Sequence, residues 1–307
     1  MSTAETRISA VVITCNDAEV LEPCLESVAS WVDELVVVDM HSDDGSRELA
    51  LKYGAALHDH ERIPFVEPAR NHAMSLATCE WVLVVDPDER IQPGLADEVR
   101  RLARGDRWDV VLLPRVQFAF GRRLDSPGGQ DGAQPRFFRR GVVRWPEQIH
   151  VHPDLSGLRC LDLSRTMDWK ARNAAILHET WRSPHQVLEK LARYVPRDAE
   201  RRLARGDRFS FSAMRHAMYS QFRKGFVEGR ACEDGLPGFL YAALFVVQEL
   251  AVYGEMWEQQ GRPAEPDEEV KRWGRHFATA RRGLAPVRLV TRVARKARRT
   301  LAPGGQD

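Results

Sequence analysis

The chain has 307 residues with 45 Lys/Arg against 44 Asp/Glu, long enough to bury one large core or two modest ones, and its near-neutral net charge of +1 hides a strong asymmetry. Residues 1–100 hold 20 acids and 7 bases, a net −13, so the remaining 207 carry +14. Five scattered cysteines (Cys15, Cys24, Cys79, Cys160, Cys232) with no Cys-x-x-Cys exclude a disulfide framework and a zinc site, and no run of 18 uninterrupted apolar residues argues for a spanning helix. Met1–Arg7 has no apolar signal core. Reduced thiols in a cytoplasmic protein are the expectation.

The first 115 residues alternate strand and helix patterns. Ile8–Thr14 is a short apolar run, and Asp17 opens a helix with Val20, Leu21, Cys24, Leu25, Val28 and Val32 on one face. Leu35–Asp39 reads as a second strand. Ser42-Asp43-Asp44-Gly45 turns into a short helix that Gly54 ends, and Ala55–Asp59 gives a third strand. A helix over Pro68–Ala77 precedes the run Trp81–Val85. Pro93 sits at a helix start, Leu95, Val99 and Leu102 form its apolar face, Gly105 ends it, and Val110–Pro114 is another strand. Such alternation implies a mostly parallel sheet with helices on both faces. Beyond it, Gly121–Pro135 reads as a long loop, Phe137–Trp145 and Ile149–His152 as short strands, and Pro184–Leu203 as a helix with Val187, Leu188, Leu191 and Val195 on one side.

The chemistry is concentrated after Val85, where Asp86-Pro87-Asp88-Glu89 follows a buried strand. Open α/β sheets bind ligands at the carboxyl ends of their strands. Carboxylates placed there suit Mg²⁺ or Mn²⁺ carrying a diphosphate, which such cations bind through one or two acids plus phosphate oxygens. Alone, Asp-x-Asp reads equally as a solvated turn bent by Pro87.

The segments around it narrow the choice. Ile8–Asp17, Trp31–Asp39, His41–Ser46, Ala69-Arg70-Asn71-His72-Ala73 and Trp81–Glu89, in that order and spacing, resemble the bacterial family 2 glycosyltransferases with the GT-A fold. The resemblance is to the lipopolysaccharide-core β-glucosyltransferase branch and related surface-glycan enzymes. It continues through Arg136–Gly141, Val151-His152, His178–Tyr194 and Gly238–Trp257. It implies an α/β, Rossmann-like, mostly parallel GT-A catalytic domain over residues 1–180, a helical region at 181–265 and a basic tail at 266–307. It also implies an inverting hexosyl transfer from a UDP-sugar to a cell-surface glycan or lipid-linked precursor. On this likeness Asp39 accepts from the uracil N–H, and Thr14, Asn16 and Asp17 line the base and ribose pocket, with helix capping as the other reading. Arg70 and Asn71 meet ribose or phosphate, Arg70 otherwise forming a surface ion pair. Asp86 contacts ribose or a metal-bound water, and Asp88 binds the metal. The base that takes the acceptor's proton is Asp131 or Glu147. His150 and His152, two apart and facing one side of a strand, either complete the metal shell or touch the diphosphate, or serve structure alone; Pro153 stands where relatives carry an acid.

Gly238–Tyr253 is too apolar for an ordinary surface helix, and residues 271–300 follow with 11 Lys/Arg and no acid. That pairing suits peripheral contact with an anionic cytoplasmic leaflet, where each charge adds about 1 kcal/mol. A buried helix and a homodimer through it stay open. Two competing functions are weighed. A sugar-phosphate nucleotidylyltransferase needs a Gly-rich loop after the first strand, and Thr14–Glu19 has none. A non-catalytic nucleotide- or nucleic-acid-binding protein using the basic half leaves the acid cluster unexplained, so no nucleic-acid partner is expected.

Overall fold

The structure is a computed structural model describing residues 6–63, 66–127, 132–146, 152–264 and 267–275. Its centre is a seven-stranded sheet. β1 (Ile8–Thr14), β2 (Glu34–Asp39), β3 (Ala56–Asp59) and β4 (Trp81–Val85) run parallel, in the order β4-β1-β2-β3. β1 and β4 are buried throughout and β2 almost so, as uninterrupted Val/Ile/Leu runs covered on both faces should be. One face packs on α1 (Ala18–Ala29), whose Val20, Leu21, Cys24, Leu25 and Val28 are buried; α2 (Ser46–Lys52) lies beside it. The opposite face meets Ala69, Ala73 and Met74 of α3 (Glu67–Leu76).

After β4 the chain makes a short strand, β5 (Glu89–Ile91), then α4 (Pro93–Ala103), started by Pro93 as read from the sequence. β6 (Val110–Leu113) and β9 (Gln134–Arg139) extend the main sheet, β9 inserting antiparallel between β4 and β6, and β10 (Cys160–Asp162) closes that edge, followed by the single turn α5 (Leu163–Thr166). β7 (Arg115–Ala119), β8 (Arg122–Arg123), β5 and β11 (Ile176–Trp181) make a second sheet of four strands in the order β5-β11-β7-β8.

Two details differ from the sequence reading. The Gly121–Pro135 segment is not all loop. It opens with a β7–β8 hairpin whose turn residues Phe120 and Gly121 both take left-handed backbone, and it closes inside β9. The strand expected over 137–145 stops at Arg139 because Gly141, at φ +83°, turns the chain.

The last third is helical: α6 (Pro184–Ala204), α7 (Phe211–Phe222) and α8 (Gly235–Gln259). α8 is long and apolar enough to cross a membrane by length and composition, yet one of its sides is packed. Val252 and Met256 bury against Val195 and Ala199 of α6, while Tyr241 and Phe245 meet Trp181 at the end of β11. Leu236, Phe239, Val247 and Leu250 remain exposed.

Candidate active site

The parallel register puts Thr14 opposite Asp39 and Val12 opposite Val85, so β1, β2 and β4 end side by side and their exit loops share one crevice. Asp17 occupies the N-cap position of α1, but its side chain makes no cap bond. Its carboxylate turns back instead, accepting from Cys15 N at 2.9 Å and Thr14 Oγ1 at 3.2 Å. The cap comes from the β2–α2 loop, where Asp44 Oδ2 accepts from Ala18 N at 2.8 Å while its Oδ1 holds Ser46. Asn16, at φ +59°, accepts from Asp43 N through its side chain and donates its backbone N–H to Ser42 Oγ, which pins the two loops together. Burial pushes the Asp17 carboxyl above the usual range, with the nearby Asp88 charge adding to it against the Cys15 and Thr14 bonds.

Asp39 is fully buried. Its Oδ2 takes Arg47 Nη1 at 2.7 Å and Ser42 N at 3.1 Å, leaving Oδ1 with only a long 3.3 Å contact from the same amide. Burial opposes its charge, but the Ser42 and Arg47 bonds prevail and keep its pKa low.

Asp86 is gripped from two sides. Arg70 of α3 donates to Oδ1 at 3.1 Å, and Arg136 of β9 donates to Oδ2. Glu89, fully buried, anchors the same turn: it accepts from Asp86 N, Arg115 Nη1 and Arg136 Nη2, each at 3.0 Å. Burial raises the Asp86 pKa, and the two guanidiniums outweigh it, holding the group far below the carboxylate range. A depressed folded-state pKa contributes stability that is present above the unfolded value of about 3.9 and drains as pH falls through the folded one. Urea midpoints of the wild type should therefore fall more steeply between pH 5 and 3 than those of Asp86→Asn, which should start lower at neutral pH. Parallel curves would remove Asp86 from the acid response.

Asp88 has a different surrounding. His178 of β11 stands opposite Glu89 in the antiparallel β5–β11 ladder, which brings its Nε2 to 3.5 Å from Asp88 Oδ1. Lys190, on the second turn of α6, holds its Nζ 3.8 Å from Oδ2 and 3.4 Å from Thr180 O. Neither contact has hydrogen-bond length to the carboxylate. Burial works against the Asp88 charge, yet His178 and Lys190 keep its pKa below the ordinary value. Among the described residues no group of three or more His, Cys, Asp or Glu is placed to hold a metal by itself. A divalent cation nonetheless fits. Asp88 offers oxygens that no tight bond occupies, His178 offers an imidazole beside them, and the remaining ligands of Mg²⁺ or Mn²⁺ are ordinarily phosphate oxygens and water. Asp86, committed to two arginines, is placed to orient the turn.

Other predicted residues fall elsewhere. Asn71 exchanges both hydrogen bonds with the backbone of Trp145, each 2.8 Å, and Arg70 stacks on the Trp145 ring at 4.7 Å. These two side chains fasten the segment that leads to Glu147. His152 is exposed. Asp131, Glu147 and His150 lie outside the described residues. Glu89, Arg136, His178 and Lys190 were not singled out from the sequence. The signal for Glu89 was its place directly after the acid pair, and for His178 a histidine within a short apolar run.

Residues 9–164 match the family model described as glycosyl transferase family 2. The chain belongs to that family. It is 24% identical over 242 residues to an uncharacterized glycosyltransferase of Rickettsia felis, covering 78% of this chain and 85% of the relative. It is 27% identical over 119 residues to the uncharacterized glycosyltransferase YibD of Escherichia coli, 36% of this chain and 34% of that one. Among solved structures it is similar to S. aureus TarS 1-349, with TM-score 0.45, 17% identity, and coverage of 83% and 92%. It is also similar to glucosyl-3-phosphoglycerate synthase from Mycobacterium tuberculosis in complex with Mn²⁺ and UDP-glucose, with TM-score 0.31, 22% identity, and coverage of 38% and 45%. The protein is a family 2 glycosyltransferase of GT-A architecture.

Proposed function

We propose that this glycosyltransferase moves a hexose from a UDP-sugar to a cell-surface glycan or its lipid-linked precursor, inverting the anomeric centre with Mg²⁺ or Mn²⁺ at the diphosphate. The reading rests on the convergence of Asp39, Asp17 and Asp88 on one strand edge, each in a distinct electrostatic setting. In this scheme Asp39 Oδ1 accepts the uracil N–H, and Thr14 and Asp17 border the ribose. Asp86, locked by Arg70 and Arg136, fixes the turn from which Asp88 projects. Asp88 and His178 would hold the cation, whose chemistry is to neutralise the departing diphosphate. The proton of the acceptor hydroxyl goes to a carboxylate base, for which Asp131 and Glu147 are the two candidates.

On the acceptor side, the exposed Leu236, Phe239, Val247 and Leu250 of α8 precede a stretch with 11 Lys/Arg and no acid between residues 271 and 300. That arrangement supports a peripheral position on the inner face of the membrane, beside a lipid-linked acceptor.

Incubation with a panel of nucleotide sugars and Mn²⁺ tests the donor. Release of UDP from at least one UDP-hexose is expected, and the anomeric proton coupling of the transferred sugar should show the configuration opposite to the donor's. Turnover confined to GDP-, CMP- or dTDP-sugars, or a retained configuration, would overturn the reading.

A further inference from the structure

Lys190 reaches the crevice but has no part in the donor-site reading above. It comes from the helical third of the chain, yet its ammonium sits at the acid edge. Ser183 caps α6 by accepting from Gln186 N at 3.2 Å, and the helix then runs back over the strand ends with Val187 and Leu191 packed toward Trp181 and Tyr241. That packing turns Lys190 and, one turn on, Tyr194 toward the crevice. The ammonium rests between Asp88 Oδ2 at 3.8 Å and the Thr180 carbonyl at 3.4 Å, about a third exposed, and its field reaches Asp17 as well. It therefore stands beside the acid assigned to the metal and within electrostatic reach of the acid bordering the ribose, near where the diphosphate would lie. Both of its contacts are long, so a better acceptor draws it away at little cost.

We infer that Lys190 is the protein's own cation for the leaving group, facing Asp88 before the donor binds and turning to the β-phosphate when it does. This rests on the donor-site reading above. As the bond from the anomeric carbon to the β-phosphate oxygen breaks, its electron pair stays on that oxygen while the acceptor oxygen bonds to carbon and gives its proton to the carboxylate base. A lysine donating to the phosphate stabilises the charge that forms there. The same ammonium competes with a divalent cation for Asp88 while no nucleotide is present. Removing it should thus have opposite effects on metal and on diphosphate, which a residue serving only to hold α6 in place would not produce.

The test uses the full chain as wild type, Lys190→Met and Lys190→Arg. Calorimetry gives UDP and UMP affinities in Mn²⁺, and the paramagnetic resonance signal of free Mn²⁺ gives metal affinity without nucleotide. Lys190→Met should bind UDP about ten- to a hundredfold more weakly, the range for a hydrogen bond to a charged group, with UMP within about twofold. Mn²⁺ alone should bind at least as tightly as to the wild type, and Lys190→Arg should recover most of the UDP affinity. Unchanged UDP binding, equal losses of UDP and UMP, or a fall in Mn²⁺ affinity alongside that of UDP overturns the inference. Wild type that binds no UDP in any metal removes the donor-site reading and this inference together. Wild type that binds while Lys190→Met binds equally removes the inference alone.

Discussion

Asp88→Ala should abolish Mn²⁺-dependent UDP binding and lower sugar transfer by about a thousandfold or more, equivalent to roughly 4 kcal/mol of transition-state stabilisation. The magnitude follows from how little else stands ready to replace it. Asp86 has both oxygens committed to Arg70 and Arg136, and Asp17 is held by Cys15 and Thr14. Losing Asp88 leaves, among the described residues around it, only the His178 imidazole to meet the cation, beside a Lys190 freed to repel it. Stability should change far less, because Asp88 is partly exposed and its two cationic contacts are long. A variant that folds as the wild type does but loses metal-dependent binding is the expected result. Transfer rates within tenfold of wild type would exclude Asp88 as the metal carboxylate.

Glu89→Ala should produce the largest stability loss, about 3–5 kcal/mol, which corresponds to a fall in Tm on the order of 10 °C. Glu89 is fully buried and closes the turn below the site by accepting from Asp86 N, Arg115 and Arg136. Its removal takes one acid away from two buried guanidiniums, of which Arg136 keeps Asp86, and breaking a buried ion pair from one side is costly. Glu89→Gln keeps the shape and one acceptor, so it should lose less, about 1–3 kcal/mol. Denaturant melts of the two variants check the order. A cost below 1 kcal/mol for Glu89→Ala would mean the turn is held by the pairing of β4 with β1 and β9 and of β5 with β11 instead.

The parallel half of the fold was legible because β1, β2 and β4 are short Val/Ile/Leu-rich runs buried on both faces, and the helix after β1 carries a clear apolar stripe. For the same reason Asp39, Asp86 and Asp88 stood out: each ends or directly follows such a run. Asp17 was ambiguous from sequence, since a residue at the N-cap position before an apolar helix reads as its cap. The structure separates the two roles through Asp44, whose contact with Ala18 spans 26 residues and leaves no local trace. His178 and Lys190 were hidden for a related reason. They reach Asp88 only because β11 pairs antiparallel with β5 and α6 folds back over the edge, a return of about 90 residues that no spacing rule encodes. Histidines nearer the strand patterns drew the metal assignment toward His150 and His152, of which the exposed His152 lies on the segment after Glu147. Arg136 was quoted only within a matching run, because a charged residue in a short strand does not announce that it is buried against two acids.

The measurement that bears most directly on this account is calorimetric titration of UDP into the wild-type protein with and without Mn²⁺. Saturable one-to-one binding that strengthens at least tenfold with the metal is the predicted result. Binding of equal strength in metal and in chelator, or none in either, would contradict the assignment of the Asp39 and Asp88 edge as a metal-assisted uridine diphosphate site.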